Sequence, residues 1–438
     1  MQPDLHDKPS SPGLPPVTPP TAGMFLRLFL IPALIVAGLV ALLVLFNWAG
    51  KYLAGWGGGR TAAEYLKSLD DDNKDIRWRA ASDLVPVLLR DDKLAADAEF
   101  ALQLVVRLER ARSEIVPAEK SFLARLPTLM EKRNEKQLKA ELERLDPDRG
   151  YILYLESCLG NFMVPVGAPL LEKMAVEEPE MEPRTLAARR LRAVWSLANL
   201  GENLKRFDNL AAEHKDAVLE ALHEAENGEQ GSLAKKTAEY LKRRRETKAD
   251  SFGVEETLRK CADSRDIALR EMAAFAMNFW TGNAAEEARI EEILVRLAND
   301  SGQGEDELAR VLEDAPGETR AVTKIPGYRV QINATIALAR RGSPKVELGL
   351  LEEMLNPAVL RQRFVLVNRD ESHAESADEG LIASTEINAL KAVAELHRRR
   401  PERDLSGLRP LIDRLAGDSN PAMQAEARQT KLALDKKD

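Results

Sequence analysis

Five histidines, two cysteines and a large stock of carboxylates are the groups that could do chemistry in this 438-residue chain, and their spacing limits what that chemistry is. His6, His214, His223, His373 and His397 include no pair four apart and no His-Glu-x-x-His, so no helix face offers two imidazoles to one metal ion. Cys158 and Cys261 lie far apart, each in apolar helical surroundings. That excludes a Cys-x-x-Cys metal site and a disulfide scaffold, and it predicts two buried thiols. Gly55-Trp56-Gly57-Gly58-Gly59 is not followed by Gly-Lys-Ser/Thr, so it reads as a hinge and not as a phosphate loop. No Gly-x-Ser-x-Gly elbow or kinase set is present. Asp and Glu are so abundant that no pair stands apart from solvated helix faces and turn caps. The expectation is a protein with no catalytic residue, no metal and no cofactor.

Charge is the remaining resource. Three basic runs, Arg189-Arg190-Leu191-Arg192, Lys242-Arg243-Arg244-Arg245 and Arg398-Arg399-Arg400, stand out from a chain of net charge -8. Near helix ends such cations favour the helix macrodipole; on an open face they meet acidic partners or anionic lipid headgroups. A general nucleic-acid binder is not expected of an acidic chain, because nonspecific affinity comes from neutralising phosphates. Arg189, Arg192, Arg340, Arg341, Arg398 and Arg399 are therefore candidates for contacting a partner protein.

The elements that would position these residues follow from composition and periodicity. Aromatics are 5% and charged residues 31% of the chain, and Ala, Leu, Glu, Arg and Lys dominate from Thr61 onward, the composition of long solvent-facing helices. Residues 1–23 hold seven prolines and almost no large apolar side chains, which predicts a disordered tail. From Leu28 to Phe46 nineteen residues carry no charge, and Met24 to Trp48 as a helix would span the roughly 30 Å of a hydrocarbon core, with Arg27 and Trp48 at headgroup depth. Residues 24–48 are thus expected to form a single transmembrane helix, longer than the apolar part of a cleaved signal peptide and lacking an Ala-x-Ala site. Residues 49–60 form a Gly-rich linker. Lys8 and Arg27 precede the span and Lys51, Arg60 and Lys67 follow it, a slight lean toward a cytoplasmic location for the rest of an inner-membrane protein.

Within residues 61–438 a pattern recurs around an alanine with a polar residue three positions before it and an apolar one four positions after. Arg77 with Ala80 and Leu84 is one copy. Others are Arg190 with Ala193 and Leu197, Arg270 with Ala273 and Met277, Gln331 with Ala334 and Leu338, and Glu386 with Ala389 and Val393; Gln424 with Ala427 is a weaker one. Several copies follow an amphipathic stretch ending in an acidic turn at Asp70, Asp263, Asp300 or Asp418, whose Asp and Asn side chains can cap the next helix. Ile332 to Gly342, Ile-Asn-Ala-Thr-Ile-Ala-Leu-Ala-Arg-Arg-Gly, has the form of a second helix with its terminating glycine. On these residues the chain resembles the HEAT-repeat family, including its short bacterial variants.

That resemblance implies an all-α fold, an α-solenoid stack of antiparallel helix pairs with the anchor alanines buried at helix-pair contacts; no sheet of more than two strands is expected, because no alternating period-two segment of useful length appears. The spacing departs from the family, since only Ala389 and Ala427 lie about one repeat of ~40 residues apart. A further unit is expected at Ala118 to Leu145 followed by Tyr151 to Leu159, and another between Phe207 and Arg245. Residues 301–327 and 356–384 are expected to be irregular insertions, the second a flap with Phe364 and Leu366 as apolar anchors. For function the resemblance implies a membrane-tethered scaffold or adaptor binding protein partners at the membrane, with a lyase-like or chaperone-like protein acting on a cofactor-bearing partner as the alternative.

Overall fold

The computed structural model describes residues 60–131, 135–176, 183–246, 250–304, 319–368 and 375–436. The expected tail, transmembrane helix and nearly all of the linker lie outside the described residues. Among the described residues no helix is long and apolar enough to cross a membrane. The fold from Ala62 onward is predominantly helical.

The helices come largely in pairs. α1 (Ala62–Leu69) packs on α2 (Lys74–Leu88). After the single turn α3 (Asp92–Ala95), α4 (Ala98–Glu131) packs on α5 (Glu135–Asn161). Then α6 (Ala168–Val176) packs on α7 (Pro183–Asp208). A separate hairpin, α8 (Ala212–Glu224) and α9 (Gly231–Glu246), follows. Beyond it α10 (Val254–Ala262) packs on α11 (Ile267–Met277), and α12 (Ala284–Ala298) on α13 (Tyr328–Arg341). The short helices α14 (Leu348–Met354) and α15 (Pro357–Arg363) pack on α16 (Glu379–Arg399), and α17 (Arg409–Leu415) on α18 (Pro421–Asp435).

The second helices also touch one another in series: α2 on α5, α5 on α7, α7 on α11, α11 on α13, α13 on α16 and α16 on α18. Small residues allow this. Ala80, Ala193, Ala273, Ala334, Ala389 and Ala427 are all buried, as their pattern predicts. In α5 glycine takes that part, since a Cβ on Gly160 would stand 2.7 Å from the Ser196 carbonyl oxygen of α7. Between α7 and α11, a Cβ on Gly201 would stand 2.9 Å from the indole nitrogen of Trp280, which donates to the Leu197 carbonyl at 2.7 Å.

The turns explain the polar residue three positions before four of these alanines. Arg190 donates to the Ala175 carbonyl at the end of α6, and Arg270 to the Ser264 and Arg265 carbonyls ahead of α11. Gln331 donates to the Asp300 carbonyl beyond α12, and Gln424, more weakly at 3.4 Å, to that of Asp418. Each supplies a donor to carbonyls that the end of a helix leaves without intrahelical partners. N-caps come from the Asp and Asn side chains of these turns, as expected: Asn73, Asp266 and Asn420, two or three residues beyond the aspartates at which the turns begin, accept from the first amides of α2, α11 and α18. Asp300 instead takes Arg270 in a bidentate pair at 2.7 and 3.0 Å, with both side chains nearly buried. α13 ends at Gly342 in the left-handed conformation, as Ile332 to Gly342 suggested.

Three expectations are corrected. A sheet of three strands is present: β1 (Thr319–Thr323) pairs antiparallel with β2 (Phe364–Asn368), which pairs antiparallel with β3 (Glu375–Ala377). Register runs from Thr319 opposite Asn368 to Thr323 opposite Phe364. The strands come from both expected insertions, whose described residues 319–323, 364–368 and 375–377 are therefore not irregular but form one local sheet beside the helices. The unit in the middle of the chain is also displaced, because α5 runs unbroken through Pro147 and Tyr151, and its partner is the long α4. Finally, the helices between Phe207 and Arg245 exist, but α8 packs on α4, outside the series of second helices.

Candidate functional site

A cavity of about 1210 Å³ opens where the ends of several helices converge. α7 brings Glu202, Lys205 and Asp208; α9 brings Arg244 and Arg245; α13 brings Arg340 and Arg341; α16 brings Lys391, Glu395 and Arg399. α7, α9 and α13 arrive with their C-terminal ends, where backbone carbonyls leave partial negative charge and cations are favoured. This accounts for the basic runs that end these helices.

Most of those cations are already matched. Arg244 forms a two-pronged pair with Asp208 at 2.8 and 2.6 Å, and Arg245 pairs with Asp216 at 2.6 Å. Arg398 and Arg399 share Glu395, and Lys205 pairs with Glu202 at 2.6 Å. Arg341 is nearly buried, bound to Glu287 and to the Met277 and Trp280 carbonyls, so it closes the end of α11 instead of meeting a partner. Burial pulls its guanidinium below the ordinary value, with Glu287 opposing.

Arg340 differs. Among the described residues no carboxylate lies within ion-pair distance of it, and its one hydrogen bond is a long one, 3.3 Å, to Asn388 Oδ1. Burial lowers its pKa while Glu202, Glu395 and Glu426 oppose from a distance. A guanidinium has five N–H donors in a planar fork, so most of Arg340's remain for whatever enters the cavity.

A row of aromatic rings leads to the same place. Trp195 on α7 is 39% exposed and stacks flat on Phe275 of α11, with ring centroids 5.1 Å apart and an interplanar angle of 3°. Phe275 meets Phe279 edge-on at 5.0 Å, and the Lys205 ammonium sits 5.8 Å from the centre of the Phe279 ring. Phe279 itself lines the cavity. Phe275 and Phe279, four apart along the chain, mark one face at helical spacing; with aromatics at only 5%, that pairing was the signal that could have shown them beforehand.

The candidate residues thus separate. Arg340, Arg341 and Arg399 line one cavity, and Arg398 shares a carboxylate with Arg399. Arg192 and Arg189 lie toward the other end of α7, Arg192 about 20 Å of helix from Lys205 at 1.5 Å per residue. Both lie in the field of Glu156 on α5, a fully buried carboxyl with no hydrogen-bond partner for either oxygen among the described residues. Burial pushes the Glu156 pKa up to about 8, with Arg189, Arg112 and Arg192 opposing. Burial in turn lowers the pKa of Arg189, with Glu156 opposing. Phe364, expected as an exposed anchor, is 1% exposed: it packs against Tyr328 with centroids 5.8 Å apart and fastens the sheet to α13. Leu366 is half-buried in the same strand. Cys158 and Cys261 are buried free thiols, and burial raises the pKa of both. Among the described residues no group of His, Cys, Asp and Glu could hold a metal ion.

Compared with known proteins, the chain matches no family model, and no curated protein matches it.

Proposed function

We propose that this chain is a scaffold or adaptor built as a HEAT-like α-solenoid, tethered to a membrane by residues 24–48, and that it binds protein partners on the outer face of its second helices. The observation that carries this reading is the meeting of a partly exposed aromatic row with a cavity holding a cation that has no carboxylate partner among the described residues. Exposed aromatics and arginine dominate the energetics of protein interfaces. A tether of this kind confines encounter to the membrane plane and raises the effective concentration of a partner already there.

The test is recovery of the full-length protein with its partners from membranes in mild detergent, at low and at high salt. A stoichiometric complex that weakens with salt is the expected result, because ion pairs at a wet surface are screened within about 10 Å at 0.1 M salt. Extraction from the membrane by salt or carbonate alone would sink the tether. Recovery as a lone chain carrying a chromophore or other cofactor would replace the scaffold with a lyase-like role.

A further inference from the structure

We infer that the cavity at the ends of α7, α11 and α13 receives an acidic polypeptide segment, with a carboxylate on Arg340 and a neighbouring aromatic or large aliphatic side chain on Phe279 and the row leading to Trp195. This rests on the partner-binding reading above and specifies the chemistry of the partner.

Size, charge and exposed surface support it. A pocket for a small ligand has a volume of about 300–1,000 Å³; at about 1210 Å³ this one is larger, and Phe279 at its wall joins it to the aromatic row, which suits several residues of chain. Among the described residues the fold leaves most of Arg340's donors unused, and its planar fork matches a carboxylate. Lys205, although paired with Glu202, sets its ammonium 5.8 Å from the centre of the Phe279 ring, where the row reaches the cavity. Phosphate-rich ligands are disfavoured by Glu202, Asp208, Glu287 and Glu395 in the walls, which would repel a dense polyanion but leave room for a single carboxylate. The stacked pair Trp195 and Phe275 is partly open and offers a flat apolar platform.

The experiment pans a displayed library of random peptides on the full-length protein in detergent micelles, then measures binding of selected peptides by fluorescence polarisation. Expected are peptides pairing Asp or Glu with an aromatic or large aliphatic residue. Exchange of their Asp and Glu for Asn and Gln should weaken binding by about ten-fold or more, the scale of one charge-assisted contact. Arg340→Gln should cause a similar loss with an unchanged circular dichroism spectrum, Phe279→Ala a smaller one, and Arg409→Gln, whose ion pair with Asp435 lies at the far C-terminal end, none. Absence of selected peptides, selection of sequences without carboxylates, or equal binding by Arg340→Gln each overturns the inference. So does tighter Arg340-dependent binding of a single-stranded oligonucleotide or of phosphatidylserine vesicles than of the peptides. If Arg340→Gln leaves membrane partner recovery intact, the scaffold reading stands and this assignment of the cavity falls.

Discussion

Glu386 occupies, in α16, the position that Gln331 and Gln424 occupy in α13 and α18, where each donates to a turn carbonyl. An ionised carboxylate cannot donate. Glu386 is buried with Oε1 unpaired, and burial together with the nearby Asp418 pushes its pKa up to about 7, with Arg361 opposing. A carboxyl whose folded pKa exceeds its unfolded value of about 4.5 keeps a proton that the unfolded chain releases, so stability falls as pH rises through that window. Glu386→Gln supplies a permanent donor. It is expected to be neutral near pH 5 and to stabilise by about 1–2 kcal/mol above about pH 8, checked by urea denaturation at the two pH values. A gain of equal size at both would show that ionisation is not the cause. Glu156→Gln obeys the same sign, with its window extending to about 8. It should stabilise by about 1–3 kcal/mol on the alkaline side only, and a loss there would mean that the arginines around it need its charge.

At the scale of the element, the small residues set how closely the second helices approach. Ala334 lies in α13, which touches both α11 and α16, and it is fully buried. Ala334→Leu inserts three heavy atoms where no space exists and should destabilise by about 1–3 kcal/mol or more. Leu432→Ala on α18, where the leucine is 66% exposed, should stay within about 0.5 kcal/mol. Comparable melting temperatures for the two variants would mean that α13 can slide outward and that alanine is incidental. The turns were legible in outline: an acidic or amide residue between paired helices could be seen to cap, but which residue does so depends on where the first helix unwinds. That point puts the cap on Asn73 in one turn and on Asp266 in another. The strands were less legible. Thr319–Thr323 and Phe364–Asn368 are five residues each, without a sustained alternation, and each is stabilised by a partner remote in sequence.

For the molecule as a whole, the series of second helices makes one face from residues far apart in the chain: Trp195, Phe275 and Arg340 fall within it although they belong to three different pairs. The proposed mode of action therefore predicts that partner recovery from membranes depends on this face. Trp195→Ala should reduce it at high salt, where charge contributes least, and Arg340→Gln should reduce it mainly at low salt. Loss in neither variant would mean that partners do not bind on this face.

The sequence alone determined that the chain is helical, that its anchor alanines are buried and that its thiols are buried, because 3.6-residue periodicity and side-chain size act locally and repeat along the chain. It also marked the basic runs at helix ends. Only tertiary structure decided which of those cations are spent. Arg244, Arg245, Arg341 and Arg399 find carboxylates on other helices or an earlier turn, and Arg340 does not, a difference set by which helix ends converge on one cavity. Likewise Phe364 looked like an exposed anchor within an insertion until pairing of β2 with β1 turned it inward against Tyr328. Pairing between distant segments fixes side-chain direction, and no local pattern encodes it.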